Sequence, residues 1–255
     1  MKNRLRFAIR FATAHFLISL GIAIVSAALV FMVWYPGVLA KLTSVTKIYW
    51  IVLGVDVTLG PLLTLIVASP KKGLRERISD FAVIGLIQIA ALIYGMSTVF
   101  DGRPAYIVYN VDRFDVVAAN DLDEEDIKTA KPEYQKLSFF GPKLVAAIAP
   151  SDPDERNKLT LSSLDGGKDL PQLPKYYLDY ADVKQAAIDH SLDLSVVREK
   201  NPDQLDKLQK ALTKTNIPEE QIRVLIIKVK NYYMTALIDK RDAHLLEIVD
   251  LKSWN

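Results

Sequence analysis

One carboxylate stands inside an apolar run. The stretch from Trp50 to Ser69, WIVLGVDVTLGPLLTLIVAS, carries Asp56 near its middle, with Gly54, Gly60 and Pro61 around it. An Asp at the centre of a membrane-spanning helix costs roughly 2.5 to 3.5 kcal/mol on insertion scales, so it must face a protein partner or water, or be protonated. Gly60 is one helical turn from Asp56 on the same face, where a missing side chain admits another helix. Pro61 has no N–H for the carbonyl of Val57 and its ring crowds that carbonyl. This predicts a kink beside Asp56, with the Thr58 or Thr64 hydroxyl placed to take up the freed group. The chemistry such a set supports is recognition at membrane depth: either a structural clasp between helices of this chain, or a dock for a helix of a partner. A proton relay needs a chain of carboxylates, and an intramembrane aspartyl peptidase needs two acting as an acid/base pair. The spans contain one.

Other chemistry is missing. The three histidines, His15, His190 and His244, lie far apart without metal-ligand spacing, there is no cysteine, and no HExxH, GxSxG, P-loop or dinucleotide-binding pattern occurs. No catalytic residue, metal site or cofactor is assigned, and an enzyme is the minority reading. The lack of cysteine removes disulfides and thiolates without fixing a compartment.

The elements that position Asp56 are set by charge and hydropathy. Half of the residues are hydrophobic, and they crowd into the first hundred positions. Residues 1–80 hold ten Lys+Arg against three Asp+Glu, and the remainder 22 against 27, so a net charge of +2 conceals a basic first part and an acidic second part. After the basic start MKNRLRFAIR no charge appears until Lys41. A cleavable signal is the competing reading, with Val25, Ala27 and Ala28 small enough for a cleavage site. The apolar run, however, exceeds the roughly 7 to 15 residues of such signals and ends on the interfacial pair Trp34 and Tyr35, so a retained span is expected. Spans are expected at about 12–35, 48–69 and 81–100, each near the ~20 residues that cross ~30 Å of hydrocarbon. Lys2, Arg4, Arg6, Arg10, Lys71, Lys72, Arg75 and Arg77 fall on one side, against Lys41 and Lys47 on the other. The positive-inside rule then puts the N-terminus in the cytoplasm and everything after Phe100 outside it. These basic runs flank spans and lack interleaved aromatics, which argues against nucleic acid as a partner. Counting 1.5 Å per residue from the cytoplasmic ends places Asp56 at about 18 Å, Tyr94 at about 20 Å and Ser26 at about 22 Å, against about 6 Å for His15 and about 11 Å for Gln88. Tyr94 and Ser26 are the expected partners of Asp56.

Residues 101–255 read as a separate α+β domain, long enough to bury its own core. Asp101, Gly102 and Pro104 make a turn, and Tyr106 to Val117 reads as one long strand or two short ones. Asn120 or Asp121 is placed to cap a short acidic helix through Thr129. A strand is next at 143–149, then a helix capped by Asp152 with Pro153 at its first position, a loop at 166–174, and helices at 179–190 and 202–214, the last capped by Asn201. Strands at 223–230, 233–239 and 244–251 close the chain, the last two joined by the turn KRDA. Arg103, Asp112 and Arg113 are expected as a charged cluster at the membrane edge of this domain.

Two stretches, VDVTLGPLLTLIV in the second span and GRPAYIVYNVDRFDVV after the third, resemble the TfpX/TfpZ family of type IV pilin accessory proteins. Trp254 near the C-terminus is similar too, although Ser253 stands where relatives often have proline. The matching positions are Asp56, Gly60, Pro61, Gly102, Arg103, Pro104, Tyr106, Asp112, Arg113 and Phe114. The resemblance implies a multi-pass protein of the bacterial inner membrane with a periplasmic domain, which supports its cognate type IV major pilin. Its partners would be that pilin, the lipid bilayer and other inner-membrane pilus assembly proteins. It also implies that pilin is held in the membrane by an apolar N-terminal helix with a glutamate near its start. Asp56, Gly60, Pro61, Tyr94 and Ser26 are the residues that would receive it. A membrane-anchored periplasmic sensor or regulator is the alternative, and the short cytoplasmic segments, with no room for an output domain, argue against it. An enzyme modifying pilin or the envelope is the other.

The orientation is open to direct test. A periplasm-active reporter fused after Phe100 or Asn255 is expected to be active and one near Gly73 inactive; the reverse pattern would place the large domain in the cytoplasm.

Overall fold

The computed structural model describes residues 2–43 and 45–253; Trp254 lies outside them. The chain divides into two compact units, 1–102 and 103–255.

The first unit is helical. Helix α1 covers Lys2–Ala28 and continues as a π-helical segment, Leu29–Trp34, ended by the Tyr35 N–H donating to the carbonyl of Val30 at 2.8 Å. Gly37, at φ +64°, supplies the left-handed turn beyond it. A single turn, α2 (Leu39–Leu42), leads into α3 (Val45–Val67), and α4 runs from Leu74 to Asp101. Residues 3–34, α3 and α4 are each long and apolar enough to cross a membrane. Helix α4 begins seven residues before the apolar edge at Phe81, because the polar turn at its start is held by the ion pair of Lys72 with Asp80 at 2.5 Å. α3 remains one helix through Pro61. The Thr58 hydroxyl donates to the carbonyl of Gly54 at 2.5 Å and the Thr64 hydroxyl pairs with His15 Nδ1 at 2.7 Å, so neither takes up the Val57 carbonyl.

The three long helices are joined by polar contacts along their length and by an aromatic cluster at one end. Trp34, Tyr35, Val45, Tyr49 and Val99 are buried together. Tyr35 Oη donates to the carbonyl of Val99 at 2.7 Å, and the Trp34 ring packs at a tilt against Phe100, 4.9 Å between centroids. Ser26 meets Tyr49 Oη at 2.7 Å, and Arg4 donates to the carbonyl of Ile66 at 3.0 Å. The Ser26–Tyr49 bond removes polar groups from hydrocarbon, where an unsatisfied one costs several kcal/mol.

The second unit is built on a seven-stranded mixed sheet. Its strands in sequence are β1 (Pro104–Asn110), β2 (Arg113–Ala118), β3 (Lys143–Ala147), β4 (Tyr177–Asp179), β5 (Ile222–Val229), β6 (Tyr232–Asp239) and β7 (Leu245–Val249), and their order across the sheet is β4-β3-β1-β2-β5-β6-β7. The β1–β2, β3–β4, β5–β6 and β6–β7 pairs are antiparallel, while β1 with β3 and β2 with β5 are parallel. Five helices fill the connections: α5 (Glu124–Thr129), α6 (Pro153–Leu164), α7 (Lys184–Asp189), α8 (Leu194–Lys200) and α9 (Leu205–Thr215). The Tyr106–Val117 run is therefore a hairpin of two strands, turning at Val111, which adopts φ +59°. That conformation is unusual for a β-branched residue.

Local signals and tertiary context part company at the caps. Asp152 accepts from the Glu155 N–H at 3.2 Å at the start of α6, as its position before Pro153 predicts. Asp121 instead accepts from the Ala118 N–H, and α5 starts after Asp123. Asn201 does not cap α9. Its amide donates to the carbonyls of Val197 and Lys252, both at 2.7 Å, and its oxygen accepts from the Lys252 N–H at 3.0 Å, fastening α8 to the C-terminal segment. The expected helix at 179–190 is shorter: Asp179 ends β4 and accepts from the Ala181 N–H, Tyr180–Val183 is a 3-10 turn, and α7 begins at Lys184.

Register partners share a face of the sheet, and alternate residues along a strand share it too. Asp115 lies opposite Val108 on β1 and Lys228 on β5, and Val224, further along β5, lies opposite Leu237. One face thus carries two apolar clusters, Tyr106, Val108, Val117, Val145 and Tyr177 on one side and Val224, Leu237, Leu208 and Leu212 on the other. Asp115 and Lys228 stand between them. On the opposite face Phe114 is wholly buried, with Tyr109 and Tyr180 at 5.8 and 5.7 Å. Phe114→Ala is expected to cost about 3 to 5 kcal/mol, read by mass spectrometry as lost amide protection in β1, β2 and β5. Phe140→Ala, at an exposed position, should leave that protection unchanged.

Candidate functional site

The Asp56 site lies between α3 and α4. Gln88 Nε2 donates to Asp56 Oδ1 and to the Asp56 backbone carbonyl, both at 2.9 Å. A Cβ on Gly60 would overlap the Gln88 amide, and a Cβ on Gly95 would lie 2.7 Å from the methyls of Val52. Two glycines therefore let the helices meet, and one of them makes room for the amide that holds Asp56. Around this contact is an apolar groove of about 330 Å³, lined by Val55, Leu59, Ile84, Ile87 and Tyr94, with Asp56, Gly60 and Gln88 within its length. Gln88 Oε1 is buried in it and accepts no hydrogen bond within the described residues.

This corrects the pairing expected from depth. Tyr94 lies along the groove, but its ring is 76% exposed, and Ser26 bonds Tyr49. Depth counted from Phe81 undervalued Gln88, since the helix starts at Leu74 and a glutamine side chain spans the remaining few ångströms. Gln88 is the residue that sequence reasoning passed over. It is the one side-chain amide in an uncharged third span, and that is the signal that marks it.

The positions after the third span also separate. Gly102 ends α4, where a Cβ would approach Tyr35 Oη at 3.3 Å. Pro104 opens β1, a strand position that tolerates the missing N–H. Arg103 and the Asp112–Arg113 pair stand at opposite ends of β1, seven residues or roughly 23 Å apart, so they form no single cluster. Asp112 and Arg113 sit at the hairpin turn, 3.6 Å from each other. Arg103 is buried and its Nε donates to the carbonyl of Ser138 at 3.1 Å. Tyr106 is wholly buried, donates to the carbonyl of Tyr134 at 3.1 Å, and packs on Tyr177 at 5.0 Å. Burial, and next the neighbouring Tyr134, push its phenol up to about 12. Phe114 is core. Much of the motif is therefore packing, and Arg103 and Tyr106 together fasten the segment 134–138.

A second polar site was not visible in the sequence. Asp115, 7% exposed, faces Arg113 Nε at 3.2 Å and the Asn110 amide at 3.4 Å. It opens on a pocket of about 160 Å³ shared with Asp121, Asp169, Lys228 and Lys230. Burial raises its carboxyl above the ordinary range, against the pull of Arg113 and Asn110. The site fills the polar gap between the two clusters of the sheet face, where charges of both signs compensate one another.

Three membrane-spanning helices followed by an α+β domain, with a helix-lined groove between the second and third of them, define a polytopic membrane protein with a soluble C-terminal domain. The sequence pattern described as "Fimbrial assembly protein FimB" matches residues 3–37. The chain is 30% identical over 252 residues to the fimbrial assembly protein of serogroup E1 of Dichelobacter nodosus, covering 99% of this chain and 90% of that protein. It is 36% identical over 180 residues to the serogroup I protein of the same organism, 71% of this chain and 70% of that protein. No solved structure matches. The chain belongs to the family of fimbrial assembly proteins.

The helix contact can be tested covalently, since the chain has no cysteine of its own. Val52 Cβ lies 3.3 Å from where a Cβ on Gly95 would stand, close to disulfide geometry. The pair Val52→Cys with Gly95→Cys is expected to crosslink on mild oxidation, read as lost maleimide labelling. Val52→Cys with Ile93→Cys, on the far side of α4, should not.

Proposed function

We propose that this chain is a type IV pilin accessory protein of the TfpX/TfpZ kind. It stands in the bacterial inner membrane with its N-terminus in the cytoplasm and its C-terminal domain in the periplasm. There it receives the apolar N-terminal helix of its cognate major pilin in the α3–α4 groove and holds it until assembly. Family membership supports the part in pilus assembly. The observation that carries the docking step is the groove itself: apolar walls contributed by two spans, with Asp56, Gly60 and Gln88 set within its length and the Gln88 oxygen buried without a hydrogen-bond partner among the described residues.

A helix that brings a carboxyl group to this depth fits such a site. One proton shared between its carboxyl and Asp56 avoids burying two charges, and Gln88 Oε1 can accept from a protonated acid or a backbone N–H. Gln88 already holds Asp56 from the other side, so the acceptor is in place before the partner arrives.

Asp56→Asn keeps the size of the side chain and an oxygen for Gln88, whereas Asp56→Leu removes both. The Leu variant is expected to lose crosslinking to pilin and surface pili, with the Asn variant intermediate or near normal, while both insert at the usual level and retain the Val52–Gly95 cysteine crosslink. Intact pilin crosslinking in Asp56→Leu would rule the docking out. Loss of the protein itself or of the helix crosslink would instead make Asp56 a structural clasp.

A further inference from the structure

The segment that Arg103 and Tyr106 fasten ends in a turn with two adjacent aromatic side chains at the surface. Phe140 is 78% exposed and Phe139 45%, and their rings meet edge to face at 5.2 Å. The turn is ordered by its own bonds: the Phe140 N–H donates to Ser138 Oγ at 3.0 Å, Ser138 Oγ donates to the carbonyl of Phe140 at 3.3 Å, and Gly141 takes up φ +62°. Its base is held at two carbonyls, Tyr134 by Tyr106 and Ser138 by Arg103, while Leu137 packs into the apolar cluster. Lys136 and Lys143 flank it, both exposed. A fixed, paired aromatic tip between two lysines differs from the singly scattered apolar residues of an ordinary surface.

Chain connectivity says what lies within reach. Arg103 is two residues beyond Asp101, where the third span ends, a stretch of at most about 7 Å of backbone. Phe140 is two residues beyond the carbonyl to which Arg103 donates. The tip is thus tethered to the end of a membrane-spanning helix by a buried side chain and a few residues of chain, within reach of the interfacial layer. Aromatic rings settle at that layer, and lysines beside it meet anionic headgroups.

We propose that the Phe139–Phe140 turn inserts into the headgroup region of the leaflet where the third span ends, with Lys136 and Lys143 on anionic lipid, as a second attachment of the soluble domain to the membrane. This is independent of the docking of pilin in the α3–α4 groove.

The chain lacks cysteine, so Phe140→Cys gives a single labelling site for an environment-sensitive fluorophore, and Leu164→Cys, at a position equally exposed at the end of α6, gives the reference. The labelled full chains are reconstituted in vesicles of phosphatidylcholine and phosphatidylglycerol carrying nitroxide lipid or not. The proposal expects the label at 140 to emit at shorter wavelength and to be quenched several-fold more by nitroxide lipid than the label at 164, with the difference reduced in vesicles without phosphatidylglycerol. Equal access of both labels to aqueous iodide would overturn it. So would a label at 140 shielded from iodide yet untouched by nitroxide lipid, which would assign the turn to a protein contact.

Discussion

The bond pair from Gln88 to Asp56 is the contact on which the α3–α4 face depends. One amide nitrogen serves both the carboxylate and the backbone carbonyl of the same residue, and it reaches them because position 60 has no side chain. Hydrocarbon imposes the constraint: a carboxylate at that depth must be met by a donor, and the donor must come from a neighbouring helix. Similar pairs recur through the unit, His15 with Thr64 and Ser26 with Tyr49, so that polar side chains on one span are answered from another. Gly95 against Val52 continues the close approach along the same seam. The α3–α4 face is consequently both tightly joined and polar at one point, which is what the proposed docking uses.

In the soluble unit the corresponding constraint is the position of β1. It leaves the third span almost at once and lies inside the sheet, with β2 on one side and β3 on the other. All seven of its residues are buried. Such a strand must be apolar on both faces, and the run PAYIVYN satisfies that while its two tyrosines place their hydroxyls on carbonyls, Tyr106 on Tyr134 and Tyr109 on Val111. Residues that look like a recognition motif in one dimension are here the frame of the fold. The exception is Arg103, whose buried guanidinium orders a surface turn instead of filling the core.

The sheet also accounts for the buried charge. Two apolar clusters share one face but do not merge, and the register brings Asp115 and Lys228 opposite each other between them. A carboxylate left there alone would be costly, and Asn110, Arg113 and Lys228 from three strands surround it. Burial still dominates, which is why the carboxyl is raised.

The three spans, the α+β class of the soluble domain, the two-strand close of the chain around KRDA and the cap at Asp152 were legible in the sequence, because each rests on properties of neighbouring residues: apolar length, alternation, turn residues and a side chain beside its own helix end. That Asp56 needs a partner was equally legible, since its cost depends only on depth. Which partner was not. Helix packing, and not distance from the apolar edge, brought Gln88 to Asp56 and left Tyr94 and Ser26 elsewhere. The parallel pairings of β1 with β3 and β2 with β5, the strand at Tyr177–Asp179, the clamp made by Asn201 and the burial of Asp115 all join segments tens of residues apart. No local periodicity encodes them; they are decided when the apolar faces find one another and the polar groups caught between them must be satisfied.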